Sequence, residues 1–182
     1  MWLYPARANA LGGGGHPVSR KPRQKPMNSR IGNNSNRADL RDVCIEKFAY
    51  LVTEFNFAIV KKSKKGEPLD LVYQNGTTAV SIMFDRWENR VYVEVYQVEN
   101  GKLVKNPIFI NDNTRLHGYD LDDILAIRIP GYSAKDVLSD YREVVQRIEY
   151  YSKMLRQYAP DILQGDFVLF LVLERLVKTR IE

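Results

Sequence analysis

Between residues 39 and 56, apolar side chains recur at steps of three and four: Leu40, Val43, Cys44, Phe48, Leu51, Val52 and Phe55. That spacing lines one face of a helix, so a helix is predicted from near Asp39 to Asn56. From Phe57 the period drops to two. β-prone runs at about 57–62, 69–74, 77–85, 90–98 and 103–110 follow, separated by Lys65-Gly66-Glu67-Pro68, Asn75-Gly76, Glu88-Asn89 and Asn100-Gly101. Residues of these types close tight turns, and connections this short make neighbouring strands antiparallel. The expected sheet is therefore a meander of four or five strands.

Alternation assigns the two faces. Val91, Val93 and Val95 point one way, and so do Val80, Ile82 and Phe84, forming a hydrophobic floor. Tyr92, Glu94 and Tyr96, with Ala79, Ser81 and Met83, form a mixed, tyrosine-bearing opposite face. Such asymmetry fits an antiparallel sheet covered by helices on one side only.

After an Asn- and Asp-rich loop at 111–120, Leu121–Ile127 reads as a single helical turn. Ser133 and Asp136 form a capping-box pattern ahead of a stripe at Val137, Leu138, Tyr141, Val144, Val145, Ile148, Tyr151, Leu155 and Tyr158. One long helix is predicted there, from Ser133 to about Tyr158, where Pro160 stops it. A brief turn at 161–163 ends at Gly165, and Asp166 is placed to cap a terminal helix running to about Arg180. The predicted fold class is α+β: the meander, an N-terminal helix, and a long C-terminal helix plus a terminal helix packed on one face.

Residues 1–37 change the picture of charge. They contain Gly12-Gly13-Gly14-Gly15, several prolines and many Asn and Ser, a composition that cannot offset its own ordering entropy, so a disordered tail is expected ahead of a single domain at 38–182. The chain has a formal charge of +5, yet residues 1–38 hold seven basic residues and no acidic one. The remaining 144 residues therefore carry 20 basic against 22 acidic side chains. A chain begun at Met27 would hold 22 of each, which marks residues 1–26 as an expected upstream extension. The single cysteine, Cys44, forms no internal disulfide, and with no signal-peptide pattern a cytoplasmic location is expected. The longest apolar run, 167–173, is far too short for a bilayer span, so no membrane partner is expected.

Catalytic patterns are poorly supported. The two histidines are His16, in the tail, and His117, in a loop, so a nucleophile could be served by His117 alone. Asp120, Asp122 and Asp123 form the one metal-like grouping, but carboxylates at a helix start also complement its dipole and cap its free N–H groups. A nuclease of the restriction-endonuclease type needs Glu-x-Lys on a strand, and Glu94-Val95-Tyr96 has Tyr in the Lys position. Gly12–Gly15 lacks the Gly-Lys-Ser/Thr ending of a phosphate loop. Neither catalytic nor metal-binding residues are assigned, and no cofactor is implied. At the turn Asp85-Arg86-Trp87-Glu88-Asn89, the tryptophan is either a partner anchor or, as expected here, a cover folded back over the end of the core.

The order of elements resembles a broad set of small uncharacterised bacterial cytoplasmic proteins. The motifs that carry the likeness are Asp85-Arg86, Leu121-Asp122-Asp123-Ile124-Leu125 and Leu163-Gln164-Gly165-Asp166, over about residues 40–180. That set implies no catalytic activity. The size and acidic balance of the domain are also similar to immunity proteins of bacterial toxin systems, a likeness of architecture only. The leading expectation is a non-enzymatic protein-interaction module, in its narrower form immunity-protein-like. Arg86, Trp87, Tyr92, Glu94, Tyr96, Asp120, Asp122 and Asp123 are its candidate partner-binding residues. A second copy of the chain is one candidate partner. Nucleic-acid binding through the basic tail is the alternative, and a metal-dependent enzyme using His117, Asp120, Asp122 and Asp123 is the third.

Overall fold

The computed structural model describes residues 39–64 and 67–179. The predicted tail at 1–37 lies outside the described residues. Helix α1 (Leu40–Lys47) opens where the Asp39 carboxylate accepts the Arg41 backbone N–H at 3.1 Å. The backbone leaves helical geometry at the fully buried Phe48, and α2 (Ala49–Phe55) continues beyond it. The predicted single helix is thus two, and it ends where Asn56 turns left-handed, as a helix C-terminus commonly does.

Strands β1 (Ala58–Lys62), β2 (Asp70–Gln74), β3 (Thr78–Asp85), β4 (Arg90–Glu99) and β5 (Lys102–Leu103) pair in sequence order, each antiparallel to the next. At the β4–β5 turn, Asn100 and Gly101 both take positive φ, 51° and 74°, as a two-residue hairpin of matching twist requires. The expected fifth strand at 103–110 shrinks to two residues. Its continuation loops out, and the Asn106 side chain holds the return: Oδ1 accepts the N–H groups of His117 at 2.7 Å and Gly118 at 3.1 Å, while Nδ2 donates to the Gly118 carbonyl at 2.6 Å. Strand β6 (Gly118–Asp120) then pairs with Glu94–Tyr96 of β4, inside the segment expected to be loop.

The inward faces match the alternation. Val80, Ile82, Val91, Val93 and Val95 join Leu71 and Tyr73 in one core with Cys44, Phe48, Leu51, Ile124, Ile148, Tyr151 and Leu155. Burial pushes the Cys44 thiol up to about 12. The opposite face is less open than alternation implies. Val72, Ala79, Tyr96 and Val98 form a second small buried cluster there, with Leu103 against it. The Tyr96 ring lies over Gly118, where a Cβ would stand 2.1 Å from it, so only glycine fits.

Helix α3 (Leu121–Arg128) is a full two turns rather than one. The long helix expected over 133–158 is broken into α4 (Ala134–Asp140) and α5 (Val144–Tyr158). Ser133 makes no side-chain cap bond, contrary to the capping-box expectation; the bond instead forms ten residues later, where the Glu143 N–H donates to Gln146 Oε1 at 3.3 Å. Two side-chain contacts stabilise the interruption. The Arg142 carbonyl accepts from the Arg147 guanidinium at 3.2 Å, and the Tyr141 ring packs on Tyr150 at 4.8 Å between centroids. Beyond Tyr158, α6 (Pro160–Leu163) is tied to α3 by Arg128 Nη1 and Asp161 Oδ1 at 2.8 Å. Asp166 caps α7 (Val168–Thr179) as predicted, accepting the Val168 N–H at 3.0 Å. No helix among the described residues is long and apolar enough to cross a membrane.

Candidate functional site

The four-residue turn at 86–89 that joins β3 to β4 is exposed and is held by side chains from β3 and α5. Asp85, the last residue of β3, points its carboxylate back into the turn and accepts the N–H groups of Trp87 at 2.7 Å and Glu88 at 3.2 Å. This is the turn role expected of aspartate, which replaces main-chain partners with its own side chain. Asn89 closes the turn with a positive φ of 50°. Its carbonyl and side-chain oxygen both accept from Arg147 of α5, and the Glu88 carboxylate accepts the Tyr92 hydroxyl.

Trp87 is 96 % exposed at the apex of this held turn. The expectation that it folds back over the core is therefore corrected. The end of the core is already closed by Leu69 and Phe84, and the clamped turn carries the indole outward. Arg86 is exposed beside it and, among the described residues, makes no hydrogen bond or ion pair. Trp87 and Arg86 help line an open groove of about 420 Å³, together with Asp70, Met83, Asp85 and Tyr92 among others. Asp70, Met83 and Tyr92 lie opposite one another in the β2–β3–β4 register, so they share the outer sheet face and form the floor.

The remaining predicted residues separate into two groups. Tyr92 and Glu94 are half-buried on the outer face, with the Arg90 guanidinium 4.6 Å above the Tyr92 ring centre. Burial and the Glu88 carboxylate push the Tyr92 hydroxyl up to about 12. Tyr96, by contrast, is buried and donates to Glu94 at 2.8 Å, so it is not a surface contact.

Asp122 is buried too, and its carboxylate is an internal hub. Oδ2 accepts from Arg90 at 2.8 Å and from the Tyr151 hydroxyl at 3.2 Å, while Oδ1 accepts the Tyr132 hydroxyl. Asp120 caps α3, accepting the Asp122 N–H at 3.0 Å, and Asp123 is half-buried in the same first turn. Burial and the neighbouring Asp122 push the Asp120 carboxyl up to about 7, although Arg90 lies 4.0 Å away. His117 faces Glu99 at 3.5 Å. Among the described residues, no three His, Cys, Asp or Glu side chains gather where they could hold a metal ion.

The structure thus brings Arg86, Trp87 and Tyr92 together and sets Asp120, Asp122 and Asp123 apart, at the start of a helix. Arg147 was missed. It is 2 % exposed, and among the described residues its guanidinium donates only to the neutral oxygens of Asn89 and Arg142. A signal for it existed: residue 147 lies three positions after Val144 and four before Tyr151, so it falls on the apolar stripe where a cation needs a buried partner. No protein-family model, curated protein or solved structure matches the chain.

Proposed function

We propose that this chain is a protein-interaction module and that it engages its partner through the tip of the β3–β4 hairpin, with Trp87 as the anchor. The observation that carries the reading is the near-complete exposure of Trp87 on a turn whose backbone is held by Asp85 and Arg147. Tryptophan and arginine are the side chains most enriched among residues that dominate binding energy, and here they are adjacent and both exposed. Holding the turn in advance removes part of the ordering cost of association, which is the physical value of a rigid display. Tyr92 and Glu94 extend the surface along the outer face. An immunity-type role, with a toxin as the partner, is the narrower form of the same reading.

Trp87→Ala tests it. Because the side chain makes little contact with the core, the substitution is expected to leave unfolding free energy within about 0.5 kcal/mol of wild type. Capture of a stoichiometric partner from native extract is expected to fall at least about tenfold, as for a central anchor residue. Equal capture by wild type and variant would remove the hairpin tip from the account.

A further inference from the structure

Helix α7 is apolar on more sides than the fold covers. From Val168 to Leu173 every residue is apolar, so its first turns have no polar side, and a helix of that kind is ordinarily enclosed. One side is enclosed: Phe170 and Leu173 are buried, with the Phe170 ring centre 4.7 Å from that of Tyr119. On the other, Val168, Leu171, Val172 and Leu176 are 69, 63, 45 and 42 % exposed, and their spacing places them along one outward face.

The charges on this face point to what covers it. Asp166 is exposed at its N-terminal end, where one carboxylate oxygen accepts the Val168 N–H at 3.0 Å. Arg175 is exposed toward the other end, and among the described residues its guanidinium makes no hydrogen bond or ion pair. Lys178 is already paired with Glu174 at 2.7 Å. The face therefore offers one carboxylate and one uncommitted cation, separated by about 14 Å along the helix axis.

That arrangement is its own complement. A second copy of α7 laid antiparallel, with the two-fold axis beside Val172, sets Val168 against Leu176 and brings each Arg175 within side-chain reach of the other copy's Asp166. The helix dipoles then also oppose one another, whereas a parallel copy would align like charges. An anionic lipid surface is a poorer match, because interfacial helices display several cations and α7 has one to spare. Independently of the hairpin-tip reading, we propose that the chain forms a symmetric homodimer through the outward face of α7, packed antiparallel on its own copy. A single helix face lies at the small end of specific interfaces, so the expected dissociation constant is on the order of 10 µM.

The test is sedimentation velocity of the full-length protein from about 1 to about 500 µM, a range that brackets that constant. A reversible monomer–dimer transition is expected. Leu171→Glu is expected to weaken it at least about tenfold, as for a central interface residue, while Trp87→Ala leaves it unchanged. Asp166→Lys and Arg175→Glu are each expected to weaken it at least about threefold, because each sets like charges against one another in its own dimer. An equimolar mixture of those two variants restores both opposite-charge contacts and is expected to associate at least about threefold more tightly than either alone. Circular dichroism of each variant reports folding independently. A monomer at every concentration overturns the proposal, as does a dimer that survives Leu171→Glu, one that is lost in Trp87→Ala, or a mixture no tighter than its components. Because Trp87 lies outside this face, loss of partner capture in Trp87→Ala bears on the hairpin tip alone.

Discussion

At the scale of single residues, the acidic start of α3 divides its labour. Asp122 is the structural member: its carboxylate is the shared acceptor for Arg90, Tyr132 and Tyr151. Asp122→Ala strands one guanidinium and two hydroxyls in a largely buried setting, and is expected to lower unfolding free energy by about 2–4 kcal/mol in urea titrations. Asp120 behaves differently, because it faces Asp122 and Asp123 on α3, Arg90 on β4 and, across the strand pair, Glu94. Its native carboxyl holds a proton up to about pH 7, whereas the unfolded side chain releases it near 3.8. Between those values the native state binds more protons than the unfolded one. The resulting contribution is present in full below about pH 3.8 and is lost as pH rises through about 7. Asp120→Asn keeps a capping side chain and removes the titration. Denaturation midpoints of wild type and variant are therefore expected to diverge as pH rises from 5 to 8, with the variant the more stable by about 1–2 kcal/mol at pH 8. Parallel curves would show that Asp120 titrates normally.

At the scale of elements, local chemistry and tertiary chemistry leave different traces in the sequence. The strands β2 to β4, their turns and the inward valines were legible because period two and turn residues act locally. The cap at Asp166 was legible for the same reason. The break between α4 and α5 was not, because the stripe is compatible with one helix and the contacts that favour the interruption, Arg147 reaching to Arg142 and Asn89 and the Tyr141 ring on Tyr150, are not visible in it. Nor was β6, since three residues, Gly118–Asp120, join the sheet through the Asn106 clasp rather than through any alternation of their own. Burial of Tyr96 followed from the same strand, because its ring needs the absence of a side chain at Gly118. A paired comparison checks which residue organises the α4–α5 region. Ser133→Ala removes no hydrogen bond and is expected to change stability by less than about 0.5 kcal/mol. Arg147→Met is expected to raise amide hydrogen exchange at residues 86–89 and 141–143 by an order of magnitude or more, while distant amides in β1 and β2 keep their rates. Equal protection of the β3–β4 turn in that variant would mean that Arg147 does not hold it.

At the scale of the whole molecule, the helices cover one sheet face, a small cluster around Tyr96 covers part of the other, and the end of the outer face beside the β3–β4 turn is left as an open groove. The candidate site was legible in the sequence as a list, since Arg86, Trp87 and Tyr92 were all singled out, but not as a place. Whether Trp87 lies on the core or points away from it is decided by the turn's hydrogen bonds to Asp85 and from Arg147, and nothing local encodes the second of these. The central claim is that Trp87 touches the partner. A photo-reactive phenylalanine analogue placed at residue 87 in cells, with the same group at Lys153 on the exposed side of α5 as a control, tests it most directly. The account predicts one discrete cross-linked species from position 87 and none from position 153; equal or absent cross-linking at the two positions would contradict it.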